Sequence, residues 1–148
     1  QLQAGVTVQG SRYKKPEYWS DDPDVAPVRR MFRTPDTYGY FTLSYTPLKP
    51  LTLAMDGTFT GNMLVQHLQG SGTDIDRAVT TKRFADISLK ATYMFNLFGS
   101  AEMSVTAGLQ NIFNSYQNDF DQGAMRDSGY IYGPSRPRTL LVGLSLHI

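Results

Sequence analysis

Few side chains in this sequence belong to the types that commonly perform chemistry, and their spacing does not favour it. The chain has no cysteine and only two histidines, His67 and His147, which lie far apart. A disulfide framework, a thiolate metal site and a cysteine nucleophile are therefore excluded, and the histidines match no metal-ligand spacing. Neither histidine has a serine or carboxylate partner that its position in the sequence indicates. We therefore expect no catalytic residues, no metal, no cofactor and no enzyme activity.

Two polar clusters are candidates for binding. Residues 118–123 (Asn-Asp-Phe-Asp-Gln-Gly) are similar to the start of a calcium loop, but the bidentate glutamate that such a loop requires is missing. A solvated acidic loop is the favoured interpretation there. An earlier segment carries three aspartates and then three arginines, namely Asp21, Asp22, Asp24, Arg29, Arg30 and Arg33. They suit a binding surface, although charge pairing that holds a loop together is the favoured account.

Composition indicates that strands position these residues. The 148 residues include 14 Lys and Arg against 13 Asp and Glu, and this balance argues against a nucleic-acid binder. The longest mostly apolar run, residues 140–146, is far shorter than the ~20 residues of a spanning helix, so we expect neither such a helix nor a signal peptide. Tyrosine and phenylalanine are abundant, which favours a β-rich fold. The chain begins with Gln1 and its strand pattern starts at once, as in a portion of a longer protein.

Apolar and polar residues alternate with a period of two along six segments, which predicts six strands. The segments are 1–9, 38–46, 51–65, 84–95, 101–110 and 139–148, and Leu141 is the one apolar residue out of register. The charged residues Asp56, Asp86, Lys90 and Glu102 all fall in the polar register. One face of the sheet must therefore meet surroundings that exclude charge. Alternation alone fits a soluble antiparallel sandwich or lipocalin-like barrel as well as a lipid-facing sheet.

The lengths of the connections favour the lipid-facing sheet. Short turns at residues 47–50 and 96–100 alternate with long connections at about 11–37, 66–83 and 114–136. All the long connections would then emerge on the same side of the sheet. Short periplasmic turns opposite long extracellular loops are typical of outer-membrane β-barrels, and the C-terminus would lie at the periplasmic end.

Two segments near the C-terminus resemble a known family. Residues 109–116 (Leu-Gln-Asn-Ile-Phe-Asn-Ser-Tyr) resemble the Asn-Leu-Phe-Asp/Asn…Tyr motif that closes the penultimate strand of TonB-dependent outer-membrane receptors. Residues 130–139 (Tyr-Ile-Tyr-Gly-Pro-Ser-Arg-Pro-Arg-Thr) are similar to the Gly-Arg/Pro-Pro-Arg-Thr lead-in to that family's last strand. Two positions depart from the pattern, because Tyr116 comes one residue early and Ile148 stands where the family usually ends in phenylalanine.

The resemblance implies an all-β fold, in which residues 1–148 form about six C-terminal strands of an antiparallel transmembrane barrel of about 22 strands. The plug domain and the earlier strands would be absent from this sequence. The resemblance further implies the outer membrane of a Gram-negative bacterium. The expected partners are outer-membrane lipid, the rest of the receptor barrel and its plug, the TonB complex through that plug, and a small-molecule cargo, but no nucleic acid.

By family, the cargo would be an iron–siderophore, haem or cobalamin, with larger glycans or peptides less expected. We expect Arg126, Tyr130 and Tyr132, in the third long connection, to contact it, because aromatic faces and a cation suit a flat or chelated anionic ligand. Simple packing within the loop is the other interpretation of each residue. The main alternative function is a soluble β-barrel or sandwich that binds a small apolar ligand or a protein partner. A passive porin or adhesin-type barrel is a further alternative.

Overall fold

The computed structural model describes residues 1–70, 72–97 and 101–147, and within them the protein is all-β. Its strands are β1 (Leu2–Val8), β2 (Arg12–Glu17), β3 (Val28–Arg30), β4 (Thr37–Leu48), β5 (Leu51–Thr60), β6 (Leu64–His67), β7 (Arg77–Thr80), β8 (Phe84–Asn96), β9 (Glu102–Gln110) and β10 (Thr139–His147). The described residues contain no helix that could cross a membrane.

Six strands form one open antiparallel sheet in the order β1-β4-β5-β8-β9-β10. Each contains most of one of the six segments predicted from alternation, so the all-β antiparallel prediction is confirmed. The last predicted strand is described as far as His147, and its final residue, Ile148, lies outside the described residues.

The two faces of this main sheet have opposite chemistry, because the pairing register aligns apolar residues with apolar residues across all six strands. One row of directly paired residues consists of Leu2, Leu43, Met55, Leu89, Leu109 and Leu140. On the other face, Asp56 lies between Thr42 and Ser88. Leu141 lies opposite Gly108, away from the apolar row, as its register predicts. A shift of one residue in the pairing of a strand would move each of its side chains to the opposite face, so the alternation specifies the register.

The apolar face of the main sheet is uncovered. Leu144 is 72% exposed on the edge strand β10, and even Leu89, on the interior strand β8, is 43% exposed. Within residues 1–70, 72–97 and 101–147, extensive contacts between strands are confined to hydrogen-bonded neighbours, so no second layer packs on this face.

The two ends of the main sheet differ. Antiparallel pairing of successive strands places all three long connections at one end and the turns at the other. The turn between β4 and β5 comprises residues 49–50 and follows an irregularity between Tyr45 and Leu48. At the turn between β8 and β9, the Leu97 N–H donates to the Ala101 carbonyl at 2.9 Å. The middle of that predicted turn, residues 98–100, lies outside the described residues.

The long connections are more ordered than predicted. Two of them, expected to lack secondary structure, contain the hairpins β2–β3 and β6–β7. The predicted third strand, 51–65, was also wrong in extent, because β5 ends at Thr60. There the Gly61 N–H donates to the Thr37 carbonyl at 2.7 Å and the Asp36 N–H to the Asn62 carbonyl at 3.3 Å, which closes the β4–β5 ladder. Alternation continues beyond this point, but it belongs to a different sheet.

Candidate functional site

The long connections together form what we call the connection layer, comprising residues 9–36, 61–83 and 111–138. Met63, Val65 and Tyr130 are its buried core, with Val79 and Tyr132 packed against them. Met63 and Val65 were predicted to continue the apolar face of the third strand. Instead they are 8% and 0% exposed inside this layer, because the chain leaves the main sheet after Thr60.

Gln117 organises the backbone around this core. Its side-chain Nε2 donates to the Tyr130 carbonyl at 3.0 Å, and its Oε1 accepts from the N–H groups of Tyr132 at 2.8 Å and Gly133 at 3.2 Å. The residue is 1% exposed. Because buried polar atoms must be hydrogen-bonded, this one amide stabilises the segment that carries both candidate tyrosines.

Two asparagines of the first C-terminal motif tie it to the second motif. Asn111 (φ 48°) and Asn114 (φ 54°) adopt left-handed backbone conformations, which asparagine tolerates better than most residues. The Nδ2 of Asn111 donates to the Arg136 carbonyl at 2.8 Å, and the Oδ1 of Asn114 accepts from the Arg138 N–H at 2.9 Å. The two motifs therefore form one structural unit that leads directly into β10.

Tyr130 and Tyr132 lie side by side over Asp119. Their ring centroids are 5.4 Å apart with the planes at 69°, and the Tyr132 hydroxyl donates to both Asp119 oxygens at 2.6 and 2.7 Å. Burial, and then the hydrogen bond to Asp119, raise the pKa of Tyr132. Burial, and then the charges of Asp119 and Asp121, raise the pKa of Tyr130. Both phenols therefore remain protonated donors near neutral pH.

Neither histidine has a carboxylate partner that its position in the sequence indicates, but the fold supplies one to His67. Its Nε2 lies 2.8 Å from the Asp121 Oδ1, and the two side chains are 14% and 6% exposed. The His67 ring also stacks on Tyr130, with centroids 4.0 Å apart and planes at 14°. The other Asp121 oxygen accepts from the Asp127 N–H at 3.1 Å. This pair joins the β6–β7 hairpin to the third connection and so stabilises the connection layer.

Two of the three predicted cargo residues border the same cavity. A cavity of about 210 Å³ lies among Phe120, Asp121, Arg126, Asp127, Ser128, Tyr130 and Ile131. Arg126 is exposed and donates through Nη1 to the Gly123 carbonyl at 3.1 Å, so its remaining guanidinium face suits an anionic ligand. Tyr130 is only 5% exposed, and Tyr132 does not border this cavity. Arg126 is therefore the most accessible of the three.

The predicted charge pairing of the first connection is not what forms. Arg30 pairs with Asp36 at 2.8 Å rather than with the aspartates at positions 21, 22 and 24. Arg33, at φ 56°, donates to the carbonyls of Gly129 and Ile131 and so links the first connection to the third. The residues around Arg33 carry no local signal of this contact, because the two carbonyl groups lie 96 and 98 positions later in the sequence.

The acidic segment at 118–123 is also used internally. Asp119 accepts the tyrosine hydroxyls and Asp121 binds His67. Among the described residues, no group of three or more His, Cys, Asp or Glu side chains is arranged to hold a metal ion.

Compared with known proteins, the chain matches no family model, no curated protein and no solved structure.

Proposed function

We propose that this chain is the C-terminal part of the barrel of a TonB-dependent outer-membrane receptor. The observation that carries the proposal is the uncovered apolar face of the main sheet, six strands wide and free of charge. A sheet in water buries its apolar face in a core, whereas a barrel in lipid turns it outward. The polar face, with Asp56, Asp86, Lys90 and Glu102, would line the lumen.

The edges of the main sheet support the same function. β1 and β10 are each paired on one side only, and both carry uncharged alternating sequences rather than the charges and prolines that protect solvent-exposed edges. In hydrocarbon, every backbone N–H and C=O group must be hydrogen-bonded within the protein. Further strands of a parent barrel would satisfy both edges.

The connection layer would form part of the receptor's outer surface. Its buried core and the hydrogen bonds of Gln117 to the backbone of Tyr130 and Tyr132 favour a preformed surface over a set of unstructured loops. Arg126, Tyr130 and Tyr132 remain the residues proposed to contact cargo, with Arg126 as the exposed cation. The cargo class is that expected from the family: an iron–siderophore, haem or cobalamin.

Sidedness tests the proposal directly. Cysteines at Gly72 and Ser128, in the connection layer, should react with a membrane-impermeant maleimide on intact cells that express the full-length parent. A cysteine at Lys49, in the β4–β5 turn, should react only after the outer membrane is permeabilised. Reaction of all three on intact cells, or of Lys49→Cys alone, contradicts the topology.

A soluble β module is the second candidate, and one feature favours it. A depression of about 550 Å³ lies on the apolar face, where Ala91 and Ala107 leave room between larger neighbours such as Leu43 and Leu89. An apolar ligand or a protein partner would fit there. Extraction separates the candidates, because a lipid-facing sheet needs detergent, whereas a soluble module stays in the supernatant after ultracentrifugation.

A further inference from the structure

A depression in the connection layer lies between the first and second connections, apart from the cavity beside Arg126. Its volume is about 380 Å³, and it is bordered by Trp19, residues 24–28 and residues 75–78. None of these residues borders the Arg126 cavity. We call this feature the Trp19 depression. Its volume lies within the range of small-molecule sites, which is roughly 300–1,000 Å³.

Asp76 fixes one side of the Trp19 depression. The Ser20 hydroxyl donates to its Oδ2 at 2.7 Å, and the Gln69 N–H donates to its Oδ1 at 2.7 Å. These two hydrogen bonds, the first more than the second, lower the pKa of Asp76, so its carboxylate is ionised at neutral pH. Because Ser20 belongs to the first connection and Asp76 to the second, the contact also joins the two walls. The depression is therefore preformed, which lowers the ordering cost of binding.

Trp19 and its neighbours make most of the lining apolar. The Trp19 Nε1 donates to the Ala26 carbonyl at 3.2 Å, and its ring packs edge-on against Phe32 with the centroids 5.2 Å apart. These contacts fix the orientation of the indole ring. Residues 25–28 (Val-Ala-Pro-Val) line the side of the first connection, and Ile75, which is 42% exposed, lines the other side. An apolar group in the depression would remove these side chains from water.

The charge around the Trp19 depression is negative, although the whole chain has a net charge of +1. Asp24, Asp76 and Arg77 border it, so carboxylates outnumber cations in the lining. Residues 18–28 and 72–78, which include every bordering residue, contain five aspartates against one arginine, a net charge of −4. Within the described residues, neither bordering carboxylate forms an ion pair. Each carboxylate keeps lone pairs that a cation with N–H donors can bind.

We propose that the Trp19 depression binds a small organic ammonium ion, with the charged group on Asp24 and Asp76 and the apolar body against Trp19. Ammonium groups bind carboxylates through charge-assisted hydrogen bonds and are attracted to the face of an indole ring. An anion of the same size would be repelled by the surplus of aspartates. The Arg126 cavity is proposed for an anionic cargo, so this site goes beyond the proposed function and does not depend on it.

Fluorine NMR of the full-length parent, purified in detergent with fluorinated tryptophan incorporated, tests the site because it observes Trp19 itself. The Trp19 resonance is assigned by its absence from Trp19→Phe. Three probes of matched size are phenethylammonium, phenylpropionate with the opposite charge, and phenylpropanol without charge, and methylammonium supplies the charge alone. We expect phenethylammonium to shift the Trp19 resonance saturably, with a Kd about fivefold or more below those of the other probes.

Two substitutions should move the Kd of phenethylammonium in opposite directions. Asp24→Asn removes a bordering charge and leaves the hydrogen bond between Ser20 and Asp76 intact, so it should raise the Kd about threefold. Arg77→Gln removes the bordering cation and should lower the Kd about twofold. The matched control is Glu102→Gln, at an exposed carboxylate on the turn end of the main sheet, which should leave the Kd unchanged. An unliganded Trp19 resonance at its wild-type position shows that a variant keeps the depression folded.

Each other outcome overturns the site. Equal affinity for phenethylammonium and phenylpropionate removes the recognition of charge, and equal affinity for phenethylammonium and methylammonium removes the apolar wall. A Trp19 shift that never saturates indicates partitioning into detergent instead of binding. A folded Asp24→Asn variant that binds phenethylammonium as wild type does removes the carboxylate contact. None of these outcomes bears on the lipid-facing sheet, which the sidedness experiment tests separately.

Discussion

The main sheet and the connection layer distribute their apolar residues in opposite ways. The sheet carries a continuous apolar face, yet Leu140, Val142 and Leu144 on β10 are 71–73% exposed. The connections, which would ordinarily be the polar and mobile part of a protein, contain the buried core around Val65 and Tyr130. The core of this chain therefore lies in the segments between the sheet strands.

This difference shows what stabilises each region. The main sheet depends on hydrogen bonding between its strands and on the surroundings of its apolar face, because its apolar side chains bury little surface within the chain. The connection layer depends on contacts between segments far apart in sequence, such as His67 with Asp121 and Arg33 with the Gly129 carbonyl. Substitutions in the two regions should consequently have their main effects in different assays.

The largest effect is expected for a charge on the apolar face. Leu144 lies opposite Val105 on that face, while Ser145 lies opposite Ser104 on the polar face. Under the proposed function, Leu144→Arg should cost about 2–4 kcal/mol near the bilayer midplane and sharply reduce folded receptor, whereas Ser145→Arg should be much milder. Heat-modifiable gel mobility of the full-length parent measures this. Equal tolerance at the two positions would favour the soluble β module.

A smaller and local effect is expected in the connection layer. Gln117→Ala leaves the partly buried N–H groups of Tyr132 and Gly133 without their acceptor, at a cost of about 1–3 kcal/mol. Amide hydrogen exchange across residues 130–133 should accelerate, while the main sheet stays protected. The control is Gln122→Ala, an exposed residue of the same connection. Unchanged exchange in Gln117→Ala would show that this amide does not stabilise the layer.

Backbone strain at Asn111 should be measurable by itself. Asn111→Gly and Asn111→Ala both lose the hydrogen bond to the Arg136 carbonyl, but only alanine resists the left-handed conformation. We expect alanine to destabilise the third connection by about 1 kcal/mol more than glycine, measured as limited proteolysis within residues 111–138. At Asn118, which is exposed and outside the left-handed region, glycine should be no better than alanine. The same alanine penalty at both positions would contradict this account.

The smallest effect concerns alkaline pH. Because the pKa of Tyr132 is raised in the folded protein, the native state retains a proton that the unfolded chain loses above about pH 10. Its contribution to stability is therefore complete below that pH and declines as the pH rises further. Absorbance titration of tyrosinate should show a late-titrating component from Tyr130 and Tyr132, and Tyr132→Phe should reduce its amplitude. Tyr18→Phe, at a side chain 76% exposed, should leave that component in place.

The sheet was predictable because its signal is local. A period of two along segments such as 84–95 reports the face of each residue without knowledge of its neighbours, and the placement of Asp86 and Lys90 followed from it. The prediction that Met63 and Val65 continue the third strand was wrong because the same signal is local. Alternation does not record the point at which a chain leaves one sheet and enters another.

The candidate site was only partly predictable. Arg126 and Tyr130 were expected together and do border one cavity, but the roles of Gln117, Arg33 and His67 had no sequence signal. Their partners are separated from them by 13 to 98 positions, and no local periodicity encodes such pairs. Asn111 and Asn114 were visible as a motif, although the reason for asparagine at each position became clear only from its backbone angle.

The order of residues along the chain was enough to specify the strand composition, the chemical difference between the two faces and the alternation of short turns with long connections. Each of these depends on side-chain order within one segment or on a segment's length. Tertiary structure alone decided that the connections build a core, that His67 meets Asp121, and that Trp19 and Asp76 border one depression. Those arrangements depend on which segments meet at one end of the sheet, and hydrogen bonding between antiparallel neighbours sets that.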